Sequence, residues 1–253
     1  MIYFTADTHF GHNNVIQFCD RPFASVEEMD EAMIQNWNER VTGNDTVYIL
    51  GDMFFRSTNA EEILKRLKGK KRLIVGNHDG SWMTKFDYTR YFVSVDKFLE
   101  TSDGKRSLTL CHYPMLSWKH AMRSYMIHGH IHNDTRADFW PLIASRDNVL
   151  NAGVDINGFQ PVTFDELLEN NRRFKENSLT ESSTCNEKSR LLRWGISGST
   201  SIQMYTTFSF FRFAPVSFTS KSSTASVYLP CRISVFFRSM RDLITSDRSC
   251  SVR

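Results

Sequence analysis

The chain has 253 residues, 41% of them hydrophobic, with a formal net charge of +3. That suffices for one large or two small cores. No apolar run reaches the roughly 18 residues of a membrane span. Charge is unevenly placed: Met1 to Lys175 holds 21 basic and 23 acidic residues, and Glu176 to Arg253 holds 10 and 5. The near-neutral first segment lacks the basic face of a protein that wraps nucleic acid, so an extended polynucleotide is not the expected partner. Five cysteines at unpaired spacings argue against a disulfide framework or thiolate zinc site and point to a reducing, cytoplasmic setting.

The first predicted element is a buried strand over Ile2 to Ala6. Ser25 with Glu28 reads as a capping box, and Val26, Met29, Met33 and Trp37 then recur at helical spacing to about Arg40. Thr46 to Leu50 reads as a strand, Thr58 with Glu61 as a second cap before a helix through Leu67, and Leu73 to Val75 as a strand. Ser107 to Leu110, Tyr125 to Ile127 and Asn148 to Asn151 read as further strands, and Pro161 to Leu168 as a short closing helix. Helices alternating with strands, then strands with short connections, predict an α/β layered fold. In such folds the loops after the strands' carboxyl ends converge on one site.

Five polar motifs end these apolar runs, in one order: Asp7-Thr8-His9, Gly51-Asp52, Gly76-Asn77-His78-Asp79, His112, and Gly129-His130-Ile131-His132. All eight histidines lie between His9 and His132, so the candidate chemistry is confined to the first segment. Asp7 and His9, alternate residues after a strand, are expected to leave the backbone on the same side. A carboxylate bridges two cations more readily than an imidazole does, which favours Asp52 as a bridge. An asparagine oxygen such as that of Asn77 suits a hard divalent ion. Taken singly, each motif also has a plain reading as a polar turn. Their succession predicts a dinuclear metal site built on carboxylate, amide and imidazole, suited to Mn²⁺ first and also to Fe²⁺, Co²⁺ or Zn²⁺.

The set resembles the calcineurin-like metallophosphoesterase superfamily in its short bacterial and phage form, over about Met1 to Leu168. The resemblance implies a two-sheet β sandwich flanked by helices. It implies Asp7, His9, Asp52 and His132 on one metal, and Asp52, Asn77, His112 and His130 on the other. His78 corresponds to the catalytic histidine, and a metal-bridging hydroxide would attack a phosphate ester, with phosphodiesters favoured. Expected substrates are small phosphate esters, nucleotides among them. Many relatives carry an aspartate three residues after the bridging one, which orients the catalytic histidine. Here Phe55 stands there, although Arg56 follows as in the family. Outside the ligands, His12 and Arg56 are substrate-binding candidates, with Arg21, Trp82 and Tyr113 behind them. The competing reading is a non-catalytic scaffold on the same fold. Its expected signature, lost ligands, is not seen here.

Two domains are expected, 1–175 and 176–253. Serine and threonine make up 26 of the last 78 residues. That composition suggests a poorly ordered appendage, with a shifted reading frame or a small β-rich binding domain as the alternatives.

Overall fold

The structure is a computed structural model that describes residues 1–191, 226–228 and 234–236, with side chains through residue 178. Short apolar runs form its central strands. β1 (Ile2–Thr5) is followed by helices α1 (Asn13–Phe18) and α2 (Val26–Arg40), then β2 (Thr46–Ile49), α3 (Ala60–Arg66), β3 (Lys70–Ile74), α4 (Gly80–Met83) and β4 (Phe92–Asp96). The four strands make one parallel sheet in the order β1-β2-β3-β4. One residue, Lys97, separates β4 from β5 (Phe98–Ser102), which opens a second sheet. β6 (Ser107–Cys111), β7 (Ser124–His128) and β8 (Val149–Asn151) complete it, with α5 (Trp140–Ala144) before β8. Only the β5–β6 pair is antiparallel there.

The two sheets share a core. Phe4, Leu50 and Ile74 from the first cluster with Leu110, Ile127 and Leu150 from the second. The outer face of the first sheet is covered by α2 and α3 through Met29, Met33, Trp37, Ile63 and Leu64. The outer face of the second is covered by α5, whose Trp140 and Ile143 join Met126 and Val149. This is the expected two-sheet sandwich flanked by helices.

Ser25 caps α2 as predicted: its side chain accepts from Glu28 N at 3.2 Å, and Glu28 accepts from Ala24 N at 2.7 Å. The second predicted cap is corrected. Asn59, not Thr58, precedes α3, and no side chain caps that helix. The closing helix is also longer than expected. α6 runs Phe164–Leu191, through the change in composition, and starts later than Pro161 because Val162 bridges Phe4 in both directions. Thr163 and Glu166 then form the capping box, with Thr163 N donating to Glu166 at 2.8 Å.

The chain divides into two units, Met1–Asn186 and Glu187–Arg253. In the second, β9 (Ser226–Tyr228) and β10 (Ser234–Phe236) pair antiparallel, with no hairpin-turn motif to announce them. The expectation of a poorly ordered appendage otherwise lies outside the described residues. No described helix is long and apolar enough to cross a membrane.

The sandwich interior makes a direct prediction. Phe4 is fully buried, stacked 5.6 Å from Tyr48 and edge-on to Phe164 at 6.5 Å. Phe4→Ala should lower unfolding stability by about 3–5 kcal/mol, measured by urea denaturation. A loss below about 1 kcal/mol would mean that this contact does not anchor the sheets.

Candidate metal centre

Every strand that points into the site ends in a tight, polar loop. The backbone there is left-handed at Asp7, His9, Asp52, His130 and His132, with φ of 55°, 49°, 53°, 73° and 50°. Such angles cost of order 1 kcal/mol each and persist only where neighbours over-determine them. The neighbours do so here: Asp7 N donates to Gly51 O and His9 N to Asp52 O, both at 3.0 Å. This corrects the reason for the Asp7/His9 pairing, which is a turn rather than strand alternation. Gly51 adopts φ 88°, and a Cβ there would collide with Gly76 and the His112 ring. The ligand loops approach too closely for any side chain at that point.

The predicted donors fall into two groups. Asp7, His9 and His132 have ligand atoms all within 4.8 Å of one another, and so do Asp52, His112 and His130. Asp52 lies between them: its Oδ2 is 3.8 Å from His9 Nε2 and 3.4 Å from His112 Nε2. His112 Nδ1 faces Leu50 O at 2.7 Å, which leaves Nε2 for the site, 3.0 Å from Asn77 Oδ1. The 3.0 Å between His112 Nε2 and Asn77 Oδ1 matches the edge of an octahedron built at about 2.1 Å from a small cation. His9 Nδ1 is buried without a hydrogen-bond partner among the described residues. Together the donor chemistry, the spacing and the orphaned nitrogen fit a pair of divalent ions.

Titration follows from this crowding. Burial raises the Asp7 carboxyl to about 6, against the pull of His132 and His112. Burial also raises Asp52, but the hydrogen bond and charge of His112 outweigh it and bring it to about 2. Burial and the charge of His132 push His9 down to about 2, so it is a neutral donor. Burial opposes the charged form of His132, yet its bond to Asp155 prevails and raises it to about 11.

His78 stands at the mouth, its side chain 41% exposed and its Nε2 3.9 Å from Asp52 Oδ2. Its backbone N donates to Asp52 Oδ1 at 2.8 Å. Phe55 lies edge-to-face against the His78 ring at 5.0 Å and stacks on His12 at 3.9 Å. Aromatic packing therefore flanks the His78 ring on this side. His12 and the exposed Arg56 line a cleft of about 1020 Å³ over the donors, with Phe18 and Phe139 at its edge.

Two sequence candidates are corrected. Trp82 is fully buried in the core and cannot stack on a substrate. Arg21 is 4% exposed and bound to Asp155, so it is no phosphate clamp. Tyr113 remains half exposed, edge-on to His130 at 4.6 Å. Two acidic residues were not assigned roles from sequence. Asp79 is fully buried and accepts from Asp52 N, Met53 N, Gly76 N and Trp82 Nε1 at 2.8–2.9 Å. Asp155 accepts from His132 Nδ1 at 2.8 Å and from Arg21. The place of Asp79 directly after Asn77 and His78 was its one available signal. Asp155 had none.

A two-sheet sandwich with carboxylates and imidazoles gathered at its strand ends is a centre suited to divalent cations. The chain belongs to the calcineurin-like phosphoesterase family, whose model matches residues 1–183. It is 35% identical over 173 residues to an uncharacterized protein of Methanocaldococcus jannaschii, covering 66% of this chain and 89% of that one. It is 29% identical to the gene 66 protein of Mycobacterium phage L5, covering 66% and 92%. A solved structure of a protein of unknown function from Aquifex aeolicus shares the fold, with a TM-score of 0.53, 24% identity, and coverage of 66% of this chain and 96% of that one.

The Asp79 contacts yield a prediction. Asp79→Ala strips acceptors from three backbone N–H groups and one indole, and should cost about 3 kcal/mol or more in urea unfolding. It should also weaken Mn²⁺ uptake, read by calorimetry. A variant with wild-type stability and uptake would show that Asp79 does not hold the ligand loops.

Proposed function

We propose that this chain hydrolyses a small phosphate ester using two divalent cations that share Asp52. Asp7, His9, Asp52 and His132 would hold one ion, and Asp52, Asn77, His112 and His130 the other. The observation that carries this reading is the convergence of six donors in two groups, with the Asp52 carboxylate between them and Asn77 beside His112, from five separate loops. When bound, such ions supply Lewis acidity and make water a nucleophile near neutral pH.

The chain's own groups do the rest. Asp79 and the backbone of His78 fix Asp52 in place. His78, exposed at the mouth and set against Phe55, is the proton donor for the leaving oxygen. His12 and Arg56 contact the phosphoryl oxygens from the cleft wall. Burial and the neighbouring His78 hold His12 down, at about 4, so it serves as a neutral donor or acceptor.

The cleft, about 1020 Å³ with Phe18 and Phe139 at its rim, far exceeds one phosphate and supports a diester or nucleotide. Oxygen and imidazole donors without thiolate favour Mn²⁺. The free thiols of Cys19 and Cys111 support a cytoplasmic setting. The complete donor set supports hydrolysis over the scaffold alternative.

The test is turnover of p-nitrophenyl phosphate and bis-p-nitrophenyl phosphate by the full chain, stripped of metal and then given Mn²⁺. Release should depend on Mn²⁺, favour the diester, and fall at least about 100-fold in Asp52→Asn. No turnover on either ester, by folded protein that binds a partner tightly without metal, would favour the scaffold.

A further inference from the structure

The ion pair beneath His132 is not explained by ligation alone. Asp155 is 134 residues from Arg21, and both side chains are almost wholly buried. Arg21 grips both carboxylate oxygens, Nε to Oδ1 at 2.8 Å and NH2 to Oδ2 at 3.2 Å. The same guanidinium donates to Asp7 O at 2.7 Å and Thr8 O at 2.9 Å. Oδ2 of Asp155 also meets His132 Nδ1 at 2.8 Å. One buried chain of contacts thus runs from the Asp7–His9 turn, through Arg21 and Asp155, to the His132 ring.

Two features give the chain a direction. A carboxylate gripped by a guanidinium accepts and does not donate, so the hydrogen between Asp155 and His132 sits on Nδ1. The imidazole then has only Nε2 to offer a cation. Second, Arg21 holds the backbone of the loop that carries Asp7 and His9, the other members of the same donor group. Cys19, His132 and Asp155 also lie within 4.8 Å of one another. The guanidinium on both Asp155 oxygens makes that place unfavourable for a further cation.

We propose that Asp155, clamped by Arg21, is a positioning residue that fixes the ring and tautomer of His132 and locks it to the Asp7–His9 loop as one unit. The pair assembles one cation position as a whole and leaves the Asn77, His112 and His130 side of the site alone. This rests on the reading of His132 as a metal ligand. Carboxylates that orient a ligating imidazole generally change metal affinity by about 10- to 100-fold.

The test uses the full chain and two readouts. Mn²⁺ titration by calorimetry should show two sites in the wild type. In Asp155→Asn one site should weaken about 10- to 100-fold and the other should keep its affinity. Two unchanged sites in a folded variant, or equal weakening of both, would overturn the proposal. The second readout needs no variant: ¹⁵N-edited histidine spectra of the wild type, metal-free and Zn²⁺-loaded. His132 should carry a hydrogen on Nδ1 in both states, and only Nε2 should shift on loading. A ring protonated on Nε2 alone, or Zn²⁺ on Nδ1, would overturn it. A wild type that takes up no Mn²⁺ removes the metal reading itself, and is told apart by failing before any substitution is made.

Discussion

The site depends on one buried carboxylate that stands outside the candidate donor groups. Asp79 accepts four hydrogen bonds from two loops and one indole, and it has no exposed surface. Three of its donors are backbone N–H groups at the turns that carry Asp52 and Asn77. Those groups cannot pair with strands, because the chain there has left the sheet, and a buried N–H without a partner costs about 1–3 kcal/mol. Burial pushes the Asp79 carboxyl above the usual carboxylate range, and the donors offset that only in part. A short acidic side chain thus meets the needs of two loops and sets the backbone position of Asp52, the candidate bridging residue.

The same logic extends to the other side of the centre. Asp7 accepts from His130 N with both oxygens, at 3.0 and 2.8 Å. Asn151 ties His132 O and Gly153 N, at 2.7 and 2.8 Å, beneath the last histidine loop. The left-handed turns at five donor residues are held open by these contacts. Metal-ready geometry is therefore built by main-chain satisfaction, and the parallel strands below supply the rigid base.

The candidate donors stand out in the sequence because each sits in a short motif at the end of an apolar run, where spacing and residue type are local. The helix over Val26–Arg40 was legible for the same reason, through Ser25, Glu28 and a periodic apolar stripe. What failed to show was non-local. Arg21 finds Asp155 across 134 positions, and neither is marked by its neighbours. β4 and β5 went unseen because they lie in different sheets yet are joined by Lys97 alone, with no glycine or proline to mark the switch. Trp82 follows a ligand motif closely enough to suggest substrate contact, but α4 turns it into the core. Phe55 stands out in the sequence as a departure, while its packing on His12 and His78 emerges only in the fold.

On the proposed function, two cations share the Asp52 carboxylate. Anomalous diffraction from crystals of the full chain soaked in Mn²⁺ tests it most directly. Two peaks should appear, one among Asp7, His9 and His132 and one among Asn77, His112 and His130, each within bonding distance of Asp52. A single peak, or two that leave Asp52 unbound, would contradict it.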